Sequence, residues 1–142
     1  MKVVVDTNCL LASFSKKSPY RWLFNSILHG ELTLVFTTDI LLEYEEIISR
    51  ETSREVAQNL VKLLIDLRAR EQIEVYYFWN LIPQDPDDNK FVDCAIAANA
   101  DYLITHDRHY NILQTVEFPK VRVATLPEFL SIFNRWKKIG YR

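Results

Sequence analysis

Glycine is scarce in this chain, since only Gly30 and Gly140 occur among its 142 residues. Glycine-rich phosphate loops and the dinucleotide-binding fingerprint both need several closely spaced glycines, because the backbone must approach the phosphates. The sequence therefore excludes nucleotide cofactors that are bound in either of these ways.

Cysteine is equally scarce. Cys9 and Cys94 lie far apart in apolar surroundings and form no CxxC pair. We therefore predict two buried thiols in a reducing compartment, and neither a disulfide nor a zinc site.

Long apolar runs are also missing, and none approaches the roughly 20 residues of a membrane-spanning helix. The opening Met1-Lys2-Val3-Val4-Val5-Asp6 reaches a charge too early for a signal peptide. We expect a cytoplasmic protein without membrane contact. The length, with 49% hydrophobic and 25% charged residues, fits one domain spanning residues 1–142.

An excess of positive charge is absent too, because 17 basic residues face 19 acidic ones and the net charge is −2. Such a balance argues against a protein that binds nucleic acid by bulk charge alone. A polyanionic substrate would need a local basic patch or a metal ion.

Short apolar stretches alternate with amphipathic helical segments along the chain. The predicted strands span residues 3–5, 32–36, 73–79, 102–105 and 121–124. The predicted helices span 20–28, 40–48, 56–67, 91–98, 108–113 and 127–136, whereas Ser13 and Ser15 are assigned to a polar turn. This alternation predicts an α/β fold, a three-layer α/β/α sandwich around a central parallel sheet of four or five strands.

An acidic turn, Asp85-Pro86-Asp87-Asp88-Asn89, precedes the helix at 91–98. Its like charges raise the energy of the folded state unless a cation or a basic partner neutralises them. Asp88 and Asn89 are candidate N-caps of the helix. The competing interpretation is a solvated turn, and Asp85 and Asp87 fit turn and cap roles better than ligand roles.

Three further acids occupy comparable positions. Asp6 ends the first strand, Asp107 follows the fourth, and Glu43 lies in the first turns of the helix after the second. Ligand sites of parallel sheets lie beyond the carboxyl ends of the strands, so these acids and Asp88 should converge. Oxygen ligands of this kind suit Mg²⁺ or Mn²⁺, which can bind a phosphate oxygen and activate water to hydrolyse a phosphodiester.

Four motifs together resemble the PIN-domain nucleases, in particular the bacterial subgroup of toxins from toxin–antitoxin pairs, over nearly the whole chain. They are Val4-Val5-Asp6-Thr7-Asn8-Cys9-Leu10, Ile40-Leu41-Leu42-Glu43-Tyr44, Asp85-Pro86-Asp87-Asp88-Asn89-Lys90-Phe91 and Ala100-Asp101-Tyr102-Leu103-Ile104-Thr105-His106-Asp107. His106 departs from the family pattern, which often has a glycine before the last aspartate.

The resemblance implies a Mg²⁺- or Mn²⁺-dependent endoribonuclease that cuts single-stranded RNA. It assigns metal binding and catalysis to Asp6, Glu43, Asp88 and Asp107, with Asn8 and Thr105 as polar supports. It also implies a small antitoxin protein that covers the acidic pocket. We expect a homodimer as well. Exposed aromatics, from a chain with Trp22, Trp79, Trp136 and seven tyrosines, would supply apolar anchors for either partner.

Several of these residues have a simpler interpretation. Asn8 could belong to a turn that leaves the first strand, and Glu43 to a solvated helix surface. Asp93, one helical turn after Asn89, could contact the metal ligands, but a solvated surface position fits it slightly better. His106 and His109 fit phosphate contact or plain surface better than a metal pair. The candidates for a basic patch that contacts RNA are Lys16, Lys17, Arg21 and Arg108, with His106 beside them.

Two other classes of protein also use acids at the ends of parallel strands, but the sequence lacks residues that each of them needs. A phosphatase of the haloacid dehalogenase type needs a second aspartate two residues after the first, where this chain has Asn8. A receiver domain needs paired acids at strand one and a lysine after the last strand, and Val121-Arg122-Val123-Ala124-Thr125 supplies none. A binding module that kept the acidic pocket but lost turnover stays open.

Overall fold

The computed structural model describes residues 1–140 and contains one parallel sheet. Its five strands have the order β3-β2-β1-β4-β5. They are β1 (Lys2–Val5), β2 (Thr33–Phe36), β3 (Arg70–Gln72), β4 (Tyr102–Ile104) and β5 (Val123–Ala124). The predicted α/β sandwich with a central parallel sheet is confirmed.

Six α-helices and two 3₁₀ segments connect and cover the strands. The helices are α1 (Thr7–Phe14), α2 (Arg21–Leu28), α3 (Thr38–Glu51), α4 (Arg54–Ile65), α5 (Asn89–Ala97) and α6 (Leu126–Ile139). The 3₁₀ segments are Pro86–Asp88, which leads into α5, and Arg108–Thr115, which follows β4.

Local signals explain several helix ends. The Thr37 side chain accepts a hydrogen bond from the Ile40 amide and caps α3, and Ser53 caps α4 in the same way. Gly30 follows α2 with a φ of 76°, a conformation that costs glycine little.

The central strand β1 is enclosed on both faces. Val3, Val4 and Val5 are all fully buried. Successive side chains of a strand point to opposite faces, so burial of all three requires cover on both sides. Asp6 directly follows this strand and is therefore presented by the most enclosed part of the sheet.

The predicted strand at residues 73–79 is wrong. The third strand is Arg70–Gln72, and its last backbone bond to the sheet runs from the Ile73 amide to the Phe36 carbonyl. The backbone then turns to α5, where the Trp79 amide donates to Asp93 Oδ1 at 3.1 Å. The β-branched and aromatic composition of this segment therefore does not lead to pairing in the sheet.

The polar turn predicted for Ser13 and Ser15 is wrong for Ser13, because α1 continues to Phe14, whereas Ser15 lies after the end of the helix. Ser13 is buried and donates its hydroxyl to the Leu10 carbonyl at 2.8 Å. The hydroxyl of a serine can donate to a carbonyl of the preceding helical turn, so a serine in the sequence does not by itself indicate a loop.

The aromatic side chains that reach solvent include tyrosines, as expected, but not Trp22 or Trp136. Trp22 stacks on Phe129, and Trp136 stacks on Phe133, so both are only partly exposed. The exposed aromatic side chains of the described residues instead belong to Tyr76, Tyr77, Phe78 and Phe118.

The prediction of two buried thiols is confirmed. Cys9 and Cys94 are buried free thiols, and burial raises the pKa of each to about 12. Both therefore stay protonated at neutral pH. Within residues 1–140, no helix has the length and apolar character that crossing a bilayer requires.

Tyr44 fixes α3 against the end of β1. The side chain is fully buried, and its hydroxyl donates to the Val5 carbonyl, one residue before Asp6. We predict that Tyr44→Phe lowers the free energy of unfolding by about 1–2 kcal/mol, because a buried hydrogen bond is lost. Urea denaturation measures this change.

The matched control is Tyr102→Phe. Tyr102 is partly buried on β4 and contacts the Phe129 ring, and its hydroxyl makes no hydrogen bond to another described residue. This substitution should change the unfolding free energy much less. Equal effects of the two substitutions would contradict a structural role for the Tyr44 hydroxyl.

Candidate metal-binding site

Four acids line one cavity at the carboxyl edge of the sheet. The cavity has a volume of about 460 Å³, and its walls include Asp6, Glu43, Asp88 and Asp107. Asp6 and Asp107 follow β1 and β4, Glu43 lies on α3, and Asp88 ends the 3₁₀ segment before α5. The structure thus brings together all four acids that the sequence singles out.

Thr105 ties two of these acids together. Its buried hydroxyl donates to Asp6 Oδ2 at 2.8 Å and accepts a hydrogen bond from the Asp107 amide at 3.0 Å. The ends of β1 and β4 are thereby held in register. Burial raises the pKa of Asp6, and the hydrogen bond from Thr105 partly offsets this effect.

Both carboxylate oxygens of Glu43 are held by side chains that the sequence analysis did not select. Thr7 donates its hydroxyl to Oε2, and Lys90 places Nζ 2.7 Å from Oε1. Only 26% of the Lys90 side chain is exposed. Both residues lie within the motifs, and Lys90 is the lone cation of the acidic stretch, which is the signal that could have identified it.

Asp88 has the least satisfied carboxylate of the site. Its Oδ2 atom is buried and has no hydrogen-bond partner among the described residues. Desolvation, followed by the nearby charges of Asp85, Asp107 and Asp6, raises the pKa of Asp88 to about 6. An unpaired oxygen among other carboxylates is an environment that a bound cation would stabilise.

A tighter group of candidate ligands surrounds Asp88. One ligand atom from each of Asp85, Asp88, Asp107 and His109 lies within 4.8 Å of all the others. His109 Nδ1 is 3.4 Å from Asp107 Oδ1 and 3.6 Å from Asp88 Oδ2. Carboxylates dominate this group, and the described chain can therefore hold a metal ion here.

Asp85 and His109 were not predicted to belong to this group. Asp85 does act as a cap, since it accepts a hydrogen bond from the Asp87 amide at 3.2 Å, and it faces the site as well. His109 is brought in by a turn in which its amide donates to Asp107 Oδ1 at 2.9 Å. The spacing Asp107-Arg108-His109 is compatible with such a turn but does not predict it.

Two polar residues near the acids have distinct positions. Asn8 belongs to α1, so the alternative in which it makes a turn is wrong, and its exposed side chain lines the cavity. Asn89 is buried away from the site and bonds the backbone amide and carbonyl of Ile82, which fixes the chain before the acidic turn. Asp88 takes the N-cap position of α5 but makes no side-chain capping bond.

Two of the five residues predicted to contact RNA have bonds inside the protein. His106 Nε2 accepts a hydrogen bond from the Leu126 amide at 3.1 Å. Arg21 donates to the Phe14 carbonyl and to Asn25. The other three, Lys16, Lys17 and Arg108, are exposed but do not line the acidic cavity.

Arg50, which the sequence analysis did not select, does line this cavity. Its side chain is 64% exposed. The acidic cavity therefore has two cations on or beside its walls, Arg50 and Lys90, and Lys90 is already paired with Glu43.

Comparison with known proteins adds a family match. The chain matches the family model described as PIN domain over residues 2–109, which includes all four acids. Among solved structures it is similar to VapBC2 from Rickettsia felis bound to a DNA fragment from their promoter. The TM-score is 0.59 and the identity 22%, with 88% of this chain and 98% of the other covered, which shows a shared fold. No curated protein matches significantly.

The raised pKa of Asp88 predicts a pH-dependent loss of stability without metal. Between its ordinary value of 3.8 and about 6, the unfolded chain gives up this proton first, so the free energy of unfolding falls as pH rises. In excess chelator at pH 7, Asp88→Asn should therefore raise the free energy of unfolding by about 1–2 kcal/mol, allowing for partial solvent screening. Urea denaturation at several pH values measures both effects.

Asp87→Asn is the matched control, because Asp87 is an exposed neighbour in the same turn. It should leave the pH dependence between about 4 and 6 in place, whereas Asp88→Asn should flatten it. A loss of stability at pH 7 in Asp88→Asn would show instead that the carboxylate contributes to folding.

Proposed function

Because the chain belongs to the PIN-domain family, as its motifs predict, we propose that it is a metal-dependent endoribonuclease. Its substrate is single-stranded RNA, and its cofactor is Mg²⁺ or Mn²⁺. The observation that carries this proposal is the buried Oδ2 atom of Asp88, which has no hydrogen-bond partner among the described residues and lies in a group of acids at the carboxyl edge of the sheet. Open α/β sheets bind their ligands at this edge.

The donor atoms of the site suit a hard divalent cation. Asp6, Glu43, Asp88 and Asp107 supply carboxylate oxygens, and the close group around Asp88 adds Asp85 and His109. Oxygen-rich ligand sets of this kind favour Mg²⁺ and Mn²⁺ over softer metals. A divalent ion held there would lower the pKa of a coordinated water and offset the charge of the phosphate.

The exposure of each acid determines the role that we assign to it. The Asp107 side chain is 37% exposed, against 20% for Glu43 and 13% for Asp88. We assign to Asp107 the positioning and deprotonation of the attacking water, because it can reach solvent. The more enclosed Asp6, Glu43 and Asp88 hold the ion, and Asn8, Thr105, Thr7 and Lys90 orient these acids.

Water rather than a side chain is the nucleophile in this proposal. Cys9 follows the first acidic motif, but burial keeps its thiol protonated at neutral pH. Attack by water on phosphorus leaves a 5′-phosphate and a 3′-hydroxyl, and it does not use the ribose 2′-hydroxyl.

Purified protein should cut a labelled single-stranded RNA when Mn²⁺ or Mg²⁺ is supplied and should stop in excess chelator. Asp6→Asn should lower the rate by roughly 100-fold or more, since even the loss of an outer partner of a metal ligand costs 10- to 100-fold. Gel electrophoresis and analysis of the product ends check both statements.

Asp66→Asn, an exposed acid outside the acidic cavity, is purified in the same way, controls for contaminating ribonucleases and should keep its activity. Two outcomes contradict the mechanism: products that end in a 2′,3′-cyclic phosphate, and cleavage that persists in chelator. Metal binding without any cleavage would favour the remaining alternative, a binding module that has lost turnover.

RNA needs positive charge outside the acidic group. Arg50 on the wall of the cavity and the exposed Lys16, Lys17 and Arg108 are the candidate phosphate contacts. His106 and Arg21 are weaker candidates, because both already bond within the protein. A few such contacts are consistent with a net charge of −2.

We also propose an antitoxin partner, which is supported by the shared fold with the VapBC2 structure. A basic side chain of the antitoxin, such as an arginine, would neutralise the acids of the cavity in place of a metal ion. A homodimer would use the apolar surface formed by Phe118 and Trp79, whose rings lie 6.1 Å apart.

Coexpression with the protein of the neighbouring reading frame tests for an antitoxin. The two should purify together, and the complex should cut RNA more slowly than the free chain. Glu43→Gln weakens the negative charge of the cavity and should reduce co-purification, whereas Asp66→Asn, outside the cavity, should not. Toxicity of the chain that no neighbouring gene relieves would count against this partner.

A further inference from the structure

A second cavity adjoins the acidic one, and we call it the aromatic cavity. It has a volume of about 270 Å³ and lies between the start of α3, the segment 73–78 and the first half of α5. Its walls include Asp39, Ile73, Tyr76, Phe78, Lys90 and Asp93. Lys90 is the link between the cavities, because its Nζ lies 2.7 Å from Glu43 Oε1.

We propose that the aromatic cavity binds one unpaired base of the RNA, next to the phosphate that is cut. This inference rests on the proposed function, since it takes RNA as the substrate. Asp39 and Glu43 are four residues apart on α3, so they share a face and are separated by about 6 Å along the helix axis. A nucleotide held at the acidic cavity therefore has the aromatic cavity directly beside it.

The walls of the cavity offer surfaces on which a base can stack. The Tyr76 side chain is 84% exposed and that of Phe78 is 67% exposed, although both line this cavity. Ile73 and Val75 add apolar surface between them. Aromatic side chains of this kind bind single-stranded nucleic acid by stacking on its bases.

The charges of the cavity select a base rather than a phosphate. Asp39, Glu74 and Asp93 line it, and its one cation, Lys90, is paired with Glu43. Carboxylates repel a phosphate but accept hydrogen bonds from N–H groups. The negatively charged wall thus favours the uncharged part of a nucleotide.

Asp93 makes this preference more specific. It was expected at the protein surface, but it is only 3% exposed. Its Oδ1 atom accepts the Trp79 amide, which leaves the second oxygen for a ligand in the cavity. Asp93 can therefore accept one N–H group of a base. Guanine presents two adjacent N–H groups, which need both oxygens of one carboxylate, whereas uracil presents one. Asp39, on the same wall and without a hydrogen bond to another described residue, offers both oxygens, so guanine is the base that fits best.

The test compares two variants of the segment 73–79. Tyr76→Ala combined with Phe78→Ala removes the stacking surface, and Tyr77→Ala is the matched control, because Tyr77 is exposed on the same segment but does not line the cavity. Each protein cuts an RNA of randomised sequence, and the bases beside each cut are sequenced. Steady-state rates are then measured on one defined RNA.

Wild type and Tyr77→Ala should show an excess of guanine at one position beside the cut. The double variant should lose this excess and show a KM raised roughly tenfold, with little change in kcat, since stacking of one base is lost. Asp39→Asn, an exposed substitution on the same wall, should weaken the preference for guanine. An unchanged base preference in the double variant overturns the inference and leaves the nuclease intact.

A binding measurement separates this inference from the proposed function. Fluorescence anisotropy with Asp6→Asn protein in chelator compares labelled RNAs that differ by guanine, uracil or an abasic site at one position. Tighter binding of the guanine RNA supports the base site even if no cleavage is seen, provided that Tyr76→Ala and Phe78→Ala, combined with Asp6→Asn, abolish the difference. Equal binding of the three RNAs overturns it, as does a double variant that loses only antitoxin binding.

Discussion

Repulsion among carboxylates at one edge of the sheet is the constraint on which the rest of the site depends. Asp85, Asp107 and Asp6 lie close enough to Asp88 to raise its pKa, and burial adds to the effect. Without a cation, this crowding destabilises the folded chain at neutral pH. The scaffold must therefore hold the acids in place against their own repulsion. Thr105 fixes Asp6 through a hydrogen bond, and Thr7 and Lys90 together fix the neighbouring Glu43 through a hydrogen bond and an ion pair.

The position of these acids follows from the enclosed centre of the sheet. β1 is buried on both faces, β4 pairs beside it, and Tyr44 ties α3 to the Val5 carbonyl. Side chains at the ends of such elements have little freedom, which is what a metal site requires of its ligands. Two parts outside the sheet, the acidic turn and the segment 73–79, then add Asp85 and the aromatic rings to this framework.

The sequence predicts the part of this site that strand order determines. Asp6 and Asp107 follow apolar runs, and a parallel sheet must bring the ends of such runs to one edge. His109 and the coil at 73–79 depend on turn geometry and on contacts between distant segments, such as the Trp79 amide with Asp93, which no local pattern encodes. Lys90 was missed for another reason: a lysine at a helix start is usually solvated, and its partner lies 47 residues away.

The two cavities differ in the chemistry that they can offer to one substrate. The acidic cavity repels RNA unless a cation stands between its carboxylates and the phosphate. The aromatic cavity repels phosphate as well, but an uncharged base can enter it. Because the chain has a net charge of −2 and few basic residues near the site, the proposed contacts to the RNA backbone would supply little of the affinity. In the proposed nuclease, binding would then come from the metal-bridged phosphate and the stacked base, which would lie next to each other because Lys90 contacts both cavities.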